Sequence, residues 1–131
     1  MSRRYFQFSL VVIMITFFGL SANAGVLDGK IFTGQEGLMG EKSSGVDEVV
    51  FKDGKFISNG CLEWGFPGGE YTTTADGENV HFVADTYSDK YGRIIWAGTV
   101  KGNHLDATFI WFDKEKYSKP EQIKWFSGDV K

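Results

Sequence analysis

The sequence predicts an all-β protein, a single eight-stranded antiparallel up-and-down barrel. Apolar and polar residues alternate in short runs that Gly residues and Asp-Gly pairs interrupt, which is the two-residue period of half-buried strands. After the first 24 residues, no window of about eleven residues keeps the 3.6-residue apolar spacing of a helix. Tight turns and longer connections alternate along the chain, which is typical of a meander. Closing the meander into a barrel would remove its exposed edges.

A leader is predicted before the barrel, at residues 1–24. It begins with Arg3 and Arg4, continues through an apolar run at residues 10–20, and ends with small residues at Ala22 and Ala24. This order is typical of a signal peptide. We expect cleavage after Ala24, which would place residues 25–131, the barrel domain, in the periplasm or outside the cell.

Two alternatives to this interpretation of the leader stay open. One is a membrane anchor, although the apolar run is shorter than the roughly 20 residues of a spanning helix. The other concerns the export route. The stretch Ser2-Arg3-Arg4-Tyr5-Phe6 resembles a twin-arginine signal, whereas the very apolar run at residues 11–18 favours the general route.

The predicted strands follow from the alternating runs and their bounding turns. They lie at residues 29–33, 47–52, 55–59, 70–74, 79–87, 93–101, 104–112 and 122–129. The sixth and seventh strands flank Gly102-Asn103, a suitable two-residue turn. That turn aligns apolar residues on one side, and a slip of one residue would misalign them all. The pairs are Val100 with Leu105, Gly98 with Ala107, Trp96 with Phe109, and Ile94 with Trp111.

Two other hairpins are predicted from Asp-Gly pairs, at Asp53-Gly54 and near Asp76-Gly77. The second has a longer connection, so its register is less well determined. The facing residues that these turns predict are Phe51 with Phe56 and Tyr71 with Phe82.

The longer connections of the meander all fall at one end of the barrel. They cover residues 34–46, 60–69, 88–92 and 113–121, whereas the other end has only tight turns. Because binding residues concentrate on loops held by a rigid scaffold, we expect function at the long-loop end.

Charge and composition exclude several classes of protein. The formal net charge is −3, and loss of Arg3 and Arg4 with the leader would take it to −5. An acidic chain argues against a nucleic-acid partner, which selects a basic face. Seventeen Gly with only two Pro fit neither collagen nor a low-complexity chain. No membrane span is expected within residues 25–131.

The stretch at residues 95–108, IWAGTVKGNHLDAT, resembles hairpins of small exported bacterial β-barrels of the lipocalin-like and avidin-like kind. The resemblance implies the barrel fold and the binding of a ligand at the open, long-loop end of the barrel, which we call its mouth. Similar exported barrels also include inhibitors of lysozyme, which bind a protein through their loops. The Gly-x-Trp of lipocalins is absent, because the first strand reads Gly29-Lys30-Ile31-Phe32.

Aromatic and basic residues near the long-loop end form the candidate ligand-binding site. An aromatic and basic mouth would suit an apolar ligand with an acidic head group, which Arg93 or Lys90 would meet. Alternatively, Trp64 and Phe66 fold back as core and the charges are ordinary solvated loop charges. The candidates are Trp64, Phe66, Tyr87, Lys90, Tyr91, Arg93 and Trp111.

Other reactive residues give no catalytic or metal prediction. Cys61 is the only Cys, so it is buried, free, or paired with another chain. His81 and His104 are predicted near the opposite end, roughly 25 Å away at about 3.3 Å per strand residue, which excludes a Cys-His pair. Both are interpreted as surface histidines, and no cofactor is predicted. Glu63 and Glu70 flank the Trp64 loop, and a glycosidase-like carboxylate pair there stays open, although only their position singles them out.

The sequence therefore predicts an exported barrel that binds a small, partly apolar or amphipathic ligand at its long-loop end. The alternative is a protein-binding module, such as an inhibitor of an envelope enzyme, which would use the same loops on an exported partner. An envelope enzyme is the third hypothesis.

Overall fold

The chain forms a closed barrel of eight antiparallel strands in which each strand pairs with its neighbours in sequence and β8 pairs with β1. The computed structural model describes residues 25–115 and 119–131, so the predicted signal peptide lies outside the described residues. The predicted fold class is confirmed. The strands are β1 (Ile31–Leu38), β2 (Gly45–Lys52), β3 (Lys55–Ser58), β4 (Gly69–Asp76), β5 (Asn79–Ser88), β6 (Gly92–Lys101), β7 (His104–Phe112) and β8 (Gln122–Val130).

A short helix, α1 (Asn59–Leu62), follows β3 and begins the long connection to β4. No helix in the described ranges is long and apolar enough to cross a membrane.

Two of the three predicted hairpin registers are confirmed. Across β6 and β7, Val100 pairs with Leu105, and the other three predicted pairs form as well. Across β2 and β3, Phe51 pairs with Phe56. The third register is wrong by two residues.

In that third hairpin, Tyr71 pairs with Ala84, and Phe82 pairs with Thr73 instead. Asp76 belongs to the strand and pairs with Asn79, so the two-residue turn begins at Gly77. Gly77 has φ +63°, and such turns favour Gly at their first central position.

The first strand is longer than predicted, because it pairs with β8 from Phe32 to Leu38 and so extends past residue 33. Gly34 faces Gly128 across this closing seam. A Cβ on Gly34 would lie 2.1 Å from the Ser127 carbonyl oxygen and 2.4 Å from Gly128 Cα. The two backbones therefore approach closely where the barrel closes, and Gly at both positions allows it.

The half of the barrel away from the long loops is filled by aromatic side chains. The Phe51 ring lies 5.2 Å from Phe56, 4.9 Å from Tyr71 and 5.1 Å from Phe82, measured between centroids. Trp96 is 1% exposed, and its ring stacks on Phe109 at 3.9 Å. This half of the barrel is therefore well filled, and the interior cavity lies towards the long loops.

Residues 25–29 form turns that cover the tight-turn end. Leu27 is 1% exposed, and its backbone N–H donates to the Tyr71 hydroxyl at 3.0 Å. That hydroxyl donates to Asp28 at 2.8 Å, and the Gly54 N–H donates to the same carboxylate at 3.1 Å. Burial, followed by the hydrogen bond to Asp28, raises the pKa of Tyr71 to about 12. These turns leave the long-loop end as the open mouth.

Candidate functional site

A cavity of about 340 Å³ occupies the mouth of the barrel. Four adjacent strands, β6, β7, β8 and β1, supply an arc of its wall, and α1 with the loops that follow β3 and β5 completes it. The strands contribute Ile94, Phe109, Trp111, Gln122, Lys124 and Glu36. The helix and loops contribute Gly60, Cys61, Trp64, Phe66 and Tyr91.

The buried carboxylate of Asp47 holds the start of the β3–β4 connection. Asp47 is 8% exposed and accepts hydrogen bonds from the Ser58 hydroxyl at 2.5 Å and from the Gly60 N–H at 2.8 Å. Because a buried carboxylate is costly unless its oxygens are hydrogen-bonded, these contacts explain how it sits inside the barrel. They also fix Cys61, which follows Gly60, against the cavity.

The same connection then turns back over the mouth. The N–H groups of Trp64 and Phe66 both donate to the Cys61 carbonyl, at 3.1 and 3.2 Å. Gly65, between them, has φ +83°, which L side chains rarely adopt. This turn sends the two aromatic side chains to different environments.

The sequence left two roles open for Trp64 and Phe66, which are contact with a ligand and packing in the core. In the structure the two residues differ in this respect. Phe66 is 4% exposed and belongs to the core, where it forms part of the cavity wall. Trp64 is 52% exposed at the rim, and its ring makes an edge contact with Tyr91 at 5.5 Å. One residue packs as core and the other remains accessible at the mouth.

Ser88 and Trp111 tie the loops over the cavity to the barrel. The Ser88 hydroxyl donates to the Trp64 carbonyl at 3.0 Å and accepts from the N–H of Tyr91 at 3.1 Å. The Trp111 indole N–H donates to the Tyr91 carbonyl at 2.7 Å. Both loops are thus anchored to inward-facing side chains, so the cavity has a preformed shape.

An ion pair lies in the cavity wall between Glu36 and Lys124. The Lys124 ammonium is 3.2 Å from Glu36 Oε2, and both side chains are about four-fifths buried. The ammonium also lies 5.5 Å from the centre of the Phe109 ring, within the range of a cation–π contact. The cavity therefore combines aromatic walls with one polar pair of zero net charge.

The surroundings of Cys61 disfavour the thiolate form of its side chain. Burial is the main cause that raises its pKa, to about 11, with further increases from the Asp47 and Glu36 carboxylates. A hydrogen bond with Ser58 and the charge of Lys124 act in the opposite direction. Because the thiolate is the nucleophile, this environment does not activate Cys61. Its half-buried position leaves it neither fully core nor surface.

Four of the seven predicted ligand contacts, Trp64, Phe66, Tyr91 and Trp111, meet around the cavity. Their role in binding stays a prediction. Lys90 lies at the rim, with its ammonium 5.2 Å from the centre of the Tyr91 ring.

The structure places Tyr87 and Arg93 on the outer face of the barrel. Arg93 binds Asp85 through two hydrogen bonds of 2.9 and 3.1 Å and lies over the Tyr87 ring at 5.6 Å. Successive side chains of a strand point to opposite faces, so the inward position of Ile94 sends Arg93 outward. These two residues do not join the cavity.

Sequence reasoning missed Glu36, Gln122 and Lys124 as cavity residues. Glu36 falls within the predicted first loop, whereas it is an inward position of the longer β1. The signal in the sequence was the poor alternation of the last strand. Polar residues interrupt its inward series, and in the structure they line the cavity.

A second cluster, on the outer face near the tight-turn end, has the residue types of a catalytic triad. Ser127 Oγ lies 3.1 Å from His104 Nε2, and His104 Nδ1 lies 2.8 Å from Asp129. However, Asp106 occupies the same side, 3.1 Å from Nε2, and it accepts the Ser127 hydroxyl at 2.8 Å. A carboxylate there would repel the oxyanion that acyl transfer develops, so the cluster is a surface hydrogen-bond network.

His81 and His104 lie on the outer surface of the barrel, as predicted from the sequence. Hydrogen bonds to Asp129 and then Asp106 raise the pKa of His104 above its ordinary value. His81 lies 2.8 Å from the Thr99 hydroxyl. Within residues 25–115 and 119–131, no group of three or more His, Cys, Asp or Glu residues could hold a metal ion.

Comparison of the chain with family models, curated proteins and solved structures finds no match. The resemblance to lipocalin-like and avidin-like barrels therefore stays a prediction from residues 95–108.

Proposed function

We propose that this protein binds a small, partly apolar ligand in the cavity at the mouth of its barrel. The observation that supports this most is the contrast between the two halves of the interior. Aromatic side chains fill the lower half, whereas the upper half keeps a cavity of about 340 Å³. Small-molecule sites are concave, mostly apolar and few per protein, with volumes of roughly 300–1,000 Å³.

The lining supports a ligand that is apolar over most of its surface. Phe66, Phe109 and Trp111 provide buried or half-buried aromatic walls, and Trp64 stands at the entrance. The Glu36–Lys124 pair adds a polar contact on one side. A few placed polar groups within an apolar pocket fix the orientation of a ligand. We further propose that binding takes place in the periplasm or outside the cell, which rests on the predicted leader.

The experiment replaces Trp64 by Ser and measures binding of N-phenylnaphthylamine, a neutral fluorophore that brightens in apolar sites. We expect the Kd to rise at least tenfold, because the rim would lose its accessible aromatic contact. Phe66→Ser should weaken binding further, but it also removes core packing, so its fold is checked by circular dichroism.

Tyr87→Ser is the matched control. Tyr87 is 57% exposed near the same end, but on the outer face. Its replacement should leave the Kd within twofold of the native value. Equal effects of the Trp64 and Tyr87 substitutions would contradict the proposed site.

One observation favours a second candidate, a protein-binding module. Leu62 and Trp64 are 48% and 52% exposed on the same connection, and exposed Trp is enriched at interface hot spots. The two candidates are separated by Cys61→Trp, which would fill the cavity and leave the outer rim in place. It should abolish fluorophore binding, whereas an exported partner bound only at the rim would still be retained in a pull-down.

A further inference from the structure

We infer that the cavity selects a neutral, flat ring compound that carries an N–H next to a C=O, as in a cyclic amide. Its N–H would donate to the Glu36 carboxylate, and its carbonyl would accept from the Lys124 ammonium. This inference rests on the proposed function, since it names the class of ligand for the same cavity.

The Glu36–Lys124 ion pair has unused hydrogen-bonding capacity. An ammonium carries three donors, and a carboxylate has two acceptor oxygens. Within the described part of the chain, Lys124 donates only to Glu36 Oε2, and Glu36 Oε1 accepts no hydrogen bond. Both groups line the cavity, so a ligand can meet a donor and an acceptor side by side.

The opposite charges of Glu36 and Lys124 determine which ligand charge the cavity favours. The two opposite charges lie 3.2 Å apart in a wall where each side chain is only 22–23% exposed. A ligand anion that approaches Lys124 would also meet the Glu36 carboxylate, and a ligand cation would meet the ammonium. Breaking a largely buried pair by removing one partner's contact is costly, because it leaves a charge uncompensated. The site therefore favours a ligand with paired donor and acceptor atoms and no net charge.

A neutral ligand differs from the ligand with an acidic head group that the sequence suggested. The acidic head group was expected to meet Arg93 or Lys90. Arg93 is bound to Asp85 on the outer face, and Lys90 lies over the Tyr91 ring at the rim. Neither cation lines the cavity.

The shape of the cavity favours a flat ligand. The Phe109 ring forms the lower boundary and is itself stacked on Trp96, with 12° between the planes. Trp111 and Tyr91 lie higher, joined by the indole hydrogen bond. Aromatic surfaces favour stacked or edge contacts with flat rings. The volume of about 340 Å³ is near the lower end for small-molecule sites, which suits two fused rings.

The test uses two isomers of methylquinolone as probes. One carries its methyl group on a ring carbon and keeps the N–H, and the other carries it on nitrogen and loses the donor. They have the same mass, ring system and carbonyl. Each is titrated into the folded protein, and the Kd is read from the amide and indole chemical shifts of the cavity residues.

The variant is the double substitution Glu36→Leu with Lys124→Met, which removes both charges together and keeps similar side-chain volumes. The matched control is Glu48→Leu with Lys131→Met. That pair is an ion pair of 3.0 Å outside the cavity. The control therefore measures the loss of an ion pair outside the cavity, together with the hydrogen bond of 3.0 Å that Glu48 accepts from Asn59.

We expect the carbon-methylated isomer to bind at least tenfold more tightly than the nitrogen-methylated one. The ratio should fall below threefold in the Glu36/Lys124 variant and stay unchanged in the Glu48/Lys131 control. A ratio below threefold in the native protein, with both isomers still shifting the cavity signals, would overturn this inference and leave the proposed function standing. A preference that persists in the Glu36/Lys124 variant would overturn it as well. If neither isomer nor N-phenylnaphthylamine shifts the cavity signals, the proposed function fails with it.

Discussion

The indole N–H of Trp111 donates to the backbone carbonyl of Tyr91 at 2.7 Å. Trp111 stands in strand β7, whereas Tyr91 belongs to the loop between β5 and β6. Both side chains line the cavity. One hydrogen bond thus couples the rigid wall of the cavity to the loop over it.

Replacing Trp111 by Phe should release that loop. The change removes one neutral hydrogen bond and some packing, so we expect a loss of about 1 kcal/mol in the free energy of unfolding. Amide exchange at residues 89–91 should become faster. Trp125→Phe is the control, because the Trp125 indole donates to the Glu41 carbonyl in a different loop. Unchanged exchange at residues 89–91 in the Trp111 variant would contradict the coupling.

The seam between β1 and β8 should not accept a methyl group. In Gly34→Ala, the new Cβ would lie 2.1 Å from the Ser127 carbonyl oxygen, a backbone atom that cannot rotate away. Overpacking of this kind costs roughly 1–3 kcal/mol, or more, in the free energy of unfolding. The control is Gly45→Ala, where the nearest atom would be Glu36 Oε2 at 3.8 Å. Urea denaturation should separate the two variants, and equal midpoints would argue against a tight seam.

Stability should depend on pH through His104. Hydrogen bonds to Asp129 and Asp106 raise its pKa above the ordinary 6.5, so protonated His104 is favoured in the folded state. Its contribution is complete below pH 6.5 and is lost as the pH rises through the folded-state pKa. Burial would by itself raise the pKa of Asp106, but hydrogen bonds from Ser127 and His104 outweigh it and lower the value below 3.8. That contribution is therefore present above pH 3.8 and is lost as the pH falls through the lowered pKa.

The check compares urea midpoints of the native protein and His104→Gln at about pH 6 and about pH 9. The advantage of the native protein should be larger at the lower pH. It should be modest, because the His104 side chain is 41% exposed and its ion pairs are screened by water. An advantage that does not change between the two pH values would refute the role given to His104.

Cys61 should alkylate slowly in the folded protein. A rise in its pKa from 9.0 to about 11 lowers the thiolate fraction at neutral pH about 100-fold. The rate with iodoacetamide should therefore keep rising about tenfold per pH unit up to about pH 10. In urea, where the thiol is solvated, the rate should level off near its ordinary pKa of 9.0. The same pH profile in both states would show that burial does not control the thiol.

The sequence predicts the barrel well where local rules decide the pairing. The β6–β7 register follows from a two-residue turn and from bulky residues that must face the same side, such as Trp96 and Phe109. The predicted register of the β4–β5 hairpin is wrong because Asp76-Gly77 resembles a complete two-residue turn. In the structure the turn consists of Gly77 and the residue after it. A neighbouring pair of turn residues does not by itself fix which of them enters the turn.

The cavity is only partly predictable, because its residues meet through long-range pairing. Trp64, Phe66, Tyr91 and Trp111 could be placed at the mouth from the loop pattern alone. The Glu36–Lys124 pair joins residues 88 apart and needs the closure of β1 on β8, which no local pattern encodes. Arg93 was kept among the candidate contacts, although strand parity alone places its side chain on the outer face once Ile94 is assigned inward.

Binding of a ligand in the mouth of the barrel can be tested by a native mass spectrum of the protein, isolated gently from the cells that make it. The same spectrum is recorded for Cys61→Trp. Cys61 lines the cavity, so a Trp there would occupy the space proposed for the ligand. We expect a reproducible additional mass of a few hundred daltons on the native chain, lost on denaturation and absent from the variant. The bare chain mass in both spectra, or the same additional mass in both, would contradict a ligand held in the mouth of the barrel.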